Sequence, residues 1–177
     1  MYKLIAVALS LLLVLTTTQP SAAAPELILT DAQIESIRTS CQTAKVNLAQ
    51  LHNNDAVQRI NLGQRYENIA RRLMAPLNSR IGLNGLDSVD MSQTTVYYKQ
   101  TTVKFKEAYL DYRSSVLEAA AIDCRERPIE FYSALERARV NRLVVAENVD
   151  ELYRLAIVYK KQFASFRAQL NNDGGVQ

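Results

Sequence analysis

Glycine and proline are scarce in this sequence. Glycine occurs only at 63, 82, 85, 174 and 175, and beyond the first 23 residues proline stands only at 25, 76 and 128. An all-β domain needs turn formers at short, regular spacing, so this scarcity excludes one. Histidine is nearly absent as well. His52 stands alone, without a cysteine or second histidine at ligand spacing, and reads as a solvated helix residue. There is no glycine-rich phosphate loop, no G-x-S-x-G elbow and no H-E-x-x-H. The carboxylates of Glu147, Asp150 and Glu151 lie at helix-surface spacing, and a slender bundle offers little concavity to shift the pKa values of a catalytic pair. The expectation is a protein that is not an enzyme, with no catalytic residues, no metal and no cofactor.

An excess of one charge is missing too. Lys3 is the one charged residue of the first 23, which leaves 20 basic and 18 acidic residues and a net charge of +2 for the remainder. That balance gives no global reason to bind nucleic acid or an anionic membrane. Basic residues do cluster locally, as Arg71 and Arg72 with Arg80, as Arg137, Arg139 and Arg142, and as Lys160 and Lys161. Interleaved acids (Glu136, Glu147, Asp150, Glu151) explain most of them as ordinary helix ion pairs.

What is present begins with a leader. Lys3 supplies a positive start, Leu4 to Leu15 is an apolar run interrupted only by Ser10, and Ser21 to Ala24 is a small-residue stretch. This is the pattern of a secretory signal peptide over 1–23 with cleavage after Ala23, followed by an N-terminal extension at 24–29. The alternative is an uncleaved N-terminal anchor, although a spanning helix needs about 20 apolar residues. No second apolar stretch follows. The chain is therefore expected to be exported to the periplasm, the cell surface or the exterior, without integral membrane association once the leader is removed.

Cys41 and Cys124 are the only cysteines. An even pair in an exported chain reads first as a disulfide, with two buried free thiols as the alternative.

Helical periodicity fills the rest. The fold class expected is all-α, a three-helix antiparallel bundle or coiled coil over 30–170, with helices at about 31–82, 88–123 and 128–170. The hairpin turn falls near 82–87 and a disordered tail at 171–177. Thr30 and Gln33 have the form of a capping box. Ile34, Ile37, Cys41, Ala44, Leu48 and Leu51 then alternate by three and four, the step of a coiled-coil seam. Asp55 and Gln58 interrupt the seam beside the polar run His52 to Asp55, marking a hinge, kink or stutter. The seam resumes as Tyr66, Ile69, Leu73, Leu77 and Ile81, with Pro76 expected to bend the helix. In the second helix Val89, Val96, Val103, Leu110, Leu117 and Cys124 recur every seven residues, and Tyr98, Phe105, Tyr109, Tyr112, Val116 and Ala119 form another row. Two apolar rows predict two helical neighbours within the bundle. The third helix opens at Pro128 and carries Phe131, Leu135, Ala138, Val145, Val149, Leu152, Ala156, Tyr159, Phe163, Phe166 and Leu170 on one seam. Arg142 breaks that seam, either snorkelling outward or pairing with a group such as Asp55. An antiparallel hairpin would set Cys124 opposite residue 46, about 7–8 Å along the axis from Cys41 at 1.5 Å per residue, a gap that a kink or offset turn must absorb.

Tyrosine is concentrated in the last two helices. Most of these rings are expected to fill helix interfaces, while Tyr97 and Tyr153 lie off the seams and are the candidates for exposed contact residues.

Several segments together resemble an uncharacterised family of exported all-helical bacterial proteins with a cysteine pair. They are Cys41-Gln-Thr-Ala, Asn61 to Glu67, Leu73 to Arg80, and Ile122-Asp-Cys124 followed by Pro128. The resemblance implies a bacterial envelope protein with a paired cysteine framework and implies no activity. In composition alone the chain is loosely similar to periplasmic helical chaperones of the Skp kind. Three functions follow as expectations. The first is an interaction or scaffold protein with a protein partner in the envelope or at the cell surface. The others are a holdase-type chaperone for unfolded envelope proteins and a glycan- or surface-binding adhesin. No nucleic acid is expected as partner, and self-association is left open.

Overall fold

A computed structural model describes residues 29–173, so the leader and most of the 24–29 extension lie outside the described residues. Apart from the connections at 84–88 and 122–127 the described chain is helical from Asp31, without a strand, and forms the expected antiparallel bundle of three long helices. The first long helix comprises α1 (Asp31–Asn68), a π-helical turn (Ile69–Met74) and α2 (Ala75–Leu83) in continuous succession. The second is α3 (Val89–Ala121) and the third α4 (Pro128–Asp173), whose 46 residues span about 69 Å at 1.5 Å per residue. α4 thus runs three residues past the expected end at 170.

Local chemistry fixes the ends. The Thr30 hydroxyl accepts from the Gln33 backbone N–H at 3.3 Å while the Gln33 side chain accepts from the Thr30 N–H at 2.9 Å, a complete capping box. At the hairpin, the Leu86 N–H donates to the Ile81 carbonyl and the Gly85 N–H to the Gly82 carbonyl. This is a Schellman closure, and it requires the left-handed φ of +70° that Gly85 adopts without a Cβ penalty.

The π-helical turn lies immediately before Pro76, which has no N–H to donate and would press its ring on the preceding turn of a regular helix. The Ala75 N–H donates five residues back, to Ala70. One extra residue per turn shifts the phase of everything that follows. Of the expected seam of Tyr66, Ile69, Leu73, Leu77 and Ile81, all but Leu73 pack in the hairpin-side core, and Leu73 is the one corrected. Ala70, Met74 and Ile81 are buried, whereas Leu73 is 63% exposed.

The re-phased segment is fastened by a buried polar relay. The Tyr159 hydroxyl of α4 stands 2.7 Å from the Asn78 side-chain oxygen and 3.2 Å from the Met74 carbonyl, and Asn78 donates to Thr95 of α3 at 2.8 Å. Asn78 thereby joins all three long helices.

The core is divided in two. One cluster surrounds the cysteines, with Leu48, Tyr112, Val116, Ala119, Phe131 and Ala134. The other lies toward the hairpin, with Met74, Met91, Tyr98, Phe105, Leu152 and Tyr159. Val145 packs against both. Cys41 and Cys124 are joined by a disulfide with their Cα atoms 5.5 Å apart, so the free-thiol alternative does not hold. The axial offset is absorbed because α3 stops at Ala121 and Ile122 is extended (ψ 135°), advancing the chain faster than the 1.5 Å per residue of a helix. The loop beyond is organised by Asp123, whose carboxylate accepts from the backbone N–H groups of Arg125 and Glu126. These bonds hold its pKa below the usual range. Arg38 of α1 donates to the Arg125 carbonyl at 3.2 Å, a second tie at the disulfide end.

Candidate functional site

Two features remain after packing and capping have been accounted for: the outer face of α3 and a small cavity at the waist between the two cores.

On α3, Met91, Tyr98, Phe105, Tyr112 and Ala119 are buried at strict seven-residue intervals. The face turned to the core therefore follows a coiled-coil period, and any row parallel to it must do the same. Val89, Val96, Val103, Leu110 and Leu117 form such a row. They were expected to pack inside the bundle, and the structure corrects this: each is between 45% and 69% exposed. At 3.6 residues per turn, positions two, five and six beyond a stripe residue fall on the opposite side of the helix. Those positions after Val96 are Tyr98, Thr101 and Thr102, all buried. The reason is area. Met91, Tyr98, Phe105 and Tyr112 bury more surface than the valines and leucines do, so the aromatic-rich row takes the interior. Thr102 and Thr95 can be buried there because their hydroxyls have partners, Thr102 donating to the Tyr98 carbonyl and Thr95 to that of Met91, each at 2.9 Å.

The stripe has unlike flanks. On the side facing α1 run Lys99, Lys106 and Arg113, with Lys106 bonded to Glu67 of α1 at 3.1 Å. That contact and Arg71 hold the Glu67 carboxyl below its usual range. Lys99 and Arg113 form no ion pair among the described residues. On the other flank stand Gln93, Gln100, Glu107 and Ser114. Beyond them the edge toward α4 is tied by Glu118 to Arg137 at 2.5 Å.

The waist cavity, about 150 Å³, is lined by Asp55, Leu62, Phe105, Tyr109, Tyr112, Arg142, Val145 and Val149. The Tyr112 hydroxyl donates to the Asp55 carboxylate at 2.6 Å. Burial raises the Tyr112 pKa well above 10, and the bond to Asp55 raises it further. The suggested Asp55–Arg142 pair is thus replaced by Asp55–Tyr112. Arg142 is exposed while its side chain lines the cavity, which fits a stem packed inward beneath a solvated head.

The remaining sequence candidates lie apart. Tyr97 is 48% and Tyr153 71% exposed; Tyr97 accepts from Gln93 of its own helix. His52 is partly buried on α1, and no group of three or more potential ligands gathers among the described residues. Arg139 pairs with Glu136, and Arg154 grips Glu151 through two bonds of 2.6 Å. Sequence reasoning missed Asn78, whose burial depends on the phase shift at the π-helical turn, and it missed the outward turn of the α3 stripe.

The fold and surface define the class as an all-α, disulfide-bonded three-helix bundle. Among the described residues no helix is long and apolar enough to cross a membrane, and the disulfide is compatible with an oxidising, exported location. Comparison with protein families, curated proteins and solved structures finds no match for the chain. The resemblance to exported bacterial helical proteins therefore rests on its sequence segments alone.

Proposed function

We propose that this protein is a non-enzymatic, exported interaction or scaffold protein of the cell envelope or exterior, and that it holds a protein partner on the outer face of α3. The observation that supports this reading is the five-residue apolar stripe turned to solvent along about 42 Å of rigid helix. Scattered exposed leucines are normal on any surface, but a continuous row at constant period is the form of half an interface. The disulfide supports an oxidising destination, and the leader pattern supports export.

The test is a photo-crosslinking residue placed at Val103 in the protein within its native envelope, with a control at Thr39 on the exposed side of α1. One or two partners at near-stoichiometric yield, captured from position 103 and not from position 39, is the expected result. No capture from position 103 rejects the reading.

A holdase-type chaperone is the second reading, supported by further exposed apolar side chains at Val140, Leu143 and Val144 on α4. It takes precedence if position 103 captures a broad set of unrelated, partly unfolded proteins. The adhesin reading has only the exposure of Tyr97 and Tyr153 behind it.

A further inference from the structure

We infer that the outer face of α3 receives a single amphipathic helix of a partner protein, with an apolar seam repeating every seven residues and an acidic flank on the side toward α1. This rests on the reading of that face as the interaction surface and specifies its occupant.

Width and period give the first argument. Five apolar residues follow one another at intervals of seven, parallel to the buried row of Met91 through Ala119. The band is one residue wide. At about 100° per residue, Lys99 and Lys106 lie roughly 60° from the stripe on one side, and Gln100 and Glu107 roughly 40° on the other. An interfacial membrane helix presents a broad apolar face, whereas a narrow heptad row is matched by another helix of the same period. An ideal straight helix drifts about 20° per heptad, so only a partner that winds with the bundle can meet every stripe residue from Val89 to Leu117.

Charge gives the second. Along the flank toward α1 every charged residue is basic, and of Lys99, Lys106 and Arg113 only Lys106 is engaged, with Glu67. On the opposite side the row next to the stripe carries the single charge of Glu107 among Gln93, Gln100 and Ser114, and the mixed charges of Asp90, Lys104, Asp111 and Glu118 stand beyond it. The complementary helix is acidic along the flank toward α1 and polar along the other.

The same pattern argues against a second copy of this chain. Antiparallel pairing across a two-fold axis sets like rows together and would place Lys99, Lys106 and Arg113 against their own counterparts. Parallel pairing would oppose them to a flank of mixed charge, in which Lys104 stands beside Glu107 and Asp111.

The test uses the disulfide-bonded protein purified from its host and two synthetic 28-residue helical peptides. Both carry leucine every seven residues; one has glutamate and the other lysine along the same flank. Fluorescence anisotropy at low salt should show the glutamate peptide binding at least about tenfold tighter. That preference should reverse in a K99E/R113E variant. Binding of both peptides should vanish in V103E/L110E, and because both positions are exposed the thermal unfolding profile should stay unchanged. Equal binding of the two peptides, binding unaffected by V103E/L110E, or failure of either peptide to bind overturns the inference. So does stripe-dependent adsorption to phosphatidylglycerol vesicles, or a dimer in sedimentation that L110E dissolves. If position 103 still crosslinks to one or two partners while the peptides fail, the acid-flanked helix is wrong and the interaction reading stands.

Discussion

The Tyr112 hydroxyl lies 2.6 Å from the Asp55 carboxylate, at the level where the two halves of the core meet. α1 has its polar run His52 to Asp55 here, and α4 has Arg142 in place of an apolar seam residue. The bond from α3 compensates a carboxylate that would otherwise face an apolar cavity wall. Tyr112→Phe removes the donor and should destabilise the protein by about 1–3 kcal/mol, the cost of leaving a partly buried acceptor unsatisfied. Asp55→Leu in the Tyr112→Phe background should recover most of that loss, because both polar groups are then gone. Urea unfolding of the two single variants and the double variant measures the coupling. Additive effects would show that the bond contributes nothing of its own.

Asn78 makes a second bridge, between the re-phased α2, Thr95 of α3 and Tyr159 of α4. Asn78→Ala removes both interhelical bonds, leaves Thr95 and Tyr159 only the Met91 and Met74 carbonyls, and opens a buried space, so its cost should reach about 2–3 kcal/mol and exceed that of Tyr159→Phe, about 1 kcal/mol. Hydrogen exchange should place the opening of 69–83 well below global unfolding in Asn78→Ala. Equal losses for the two variants would mean that Asn78 is held by packing rather than by its hydrogen bonds.

These two bridges also mark how far the sequence could be read. The fold class, the capping box at Thr30 and the turn at Gly85 were legible because each depends on residues within a few positions of one another. The cysteine pairing was legible through compartment and parity. Leu73 and Asn78 were not, because Pro76 selects a π-helical turn and the extra residue rotates the helix beyond it. Nor was the fate of the α3 rows. Period shows that Val96 and Tyr98 belong to two distinct faces but not which face wins the interior. That is decided by the summed area of Met91, Tyr98, Phe105 and Tyr112, and hydroxyl partners allow the threonines to be buried with them. Asp55 and Arg142 were both recognised as seam anomalies, yet sequence offered no way to place Tyr112 between them.

The Cys41–Cys124 bridge closes a loop with a sequence separation of 83. In the chain-entropy model a loop of this length is worth about 4.5 kcal/mol. α1 between Asp31 and residue 57 otherwise buries only Cys41 and Leu48 fully, so the loss should be concentrated there. Reduction, or Cys41→Ser with Cys124→Ser, should lower the urea midpoint. It should also make 31–57 exchange amide hydrogens and yield to protease before α3 and α4 do. A midpoint shift without preferential exposure of that segment would mean the bridge stabilises the bundle as one unit.

Alkaline pH should unfold the protein through its interior tyrosines. Burial pushes Tyr98 up to about 12, with the neighbouring Tyr66 adding to the shift, and burial also raises Tyr112, Tyr159 and Tyr66. A phenol whose pKa is higher folded than unfolded contributes stability that is complete below the unfolded value near 10 and is lost as pH rises toward the folded value. The melting temperature should therefore hold up to about pH 9.5 and fall between about pH 10 and pH 12. Tyr98→Phe should flatten that fall, because a ring without a hydroxyl has no proton to lose and keeps its packing against the hairpin-side core. Circular dichroism melts of both proteins across this range provide the check. An unchanged slope in Tyr98→Phe would shift the alkaline sensitivity to the Tyr112–Asp55 contact, where deprotonation sets two negative charges side by side.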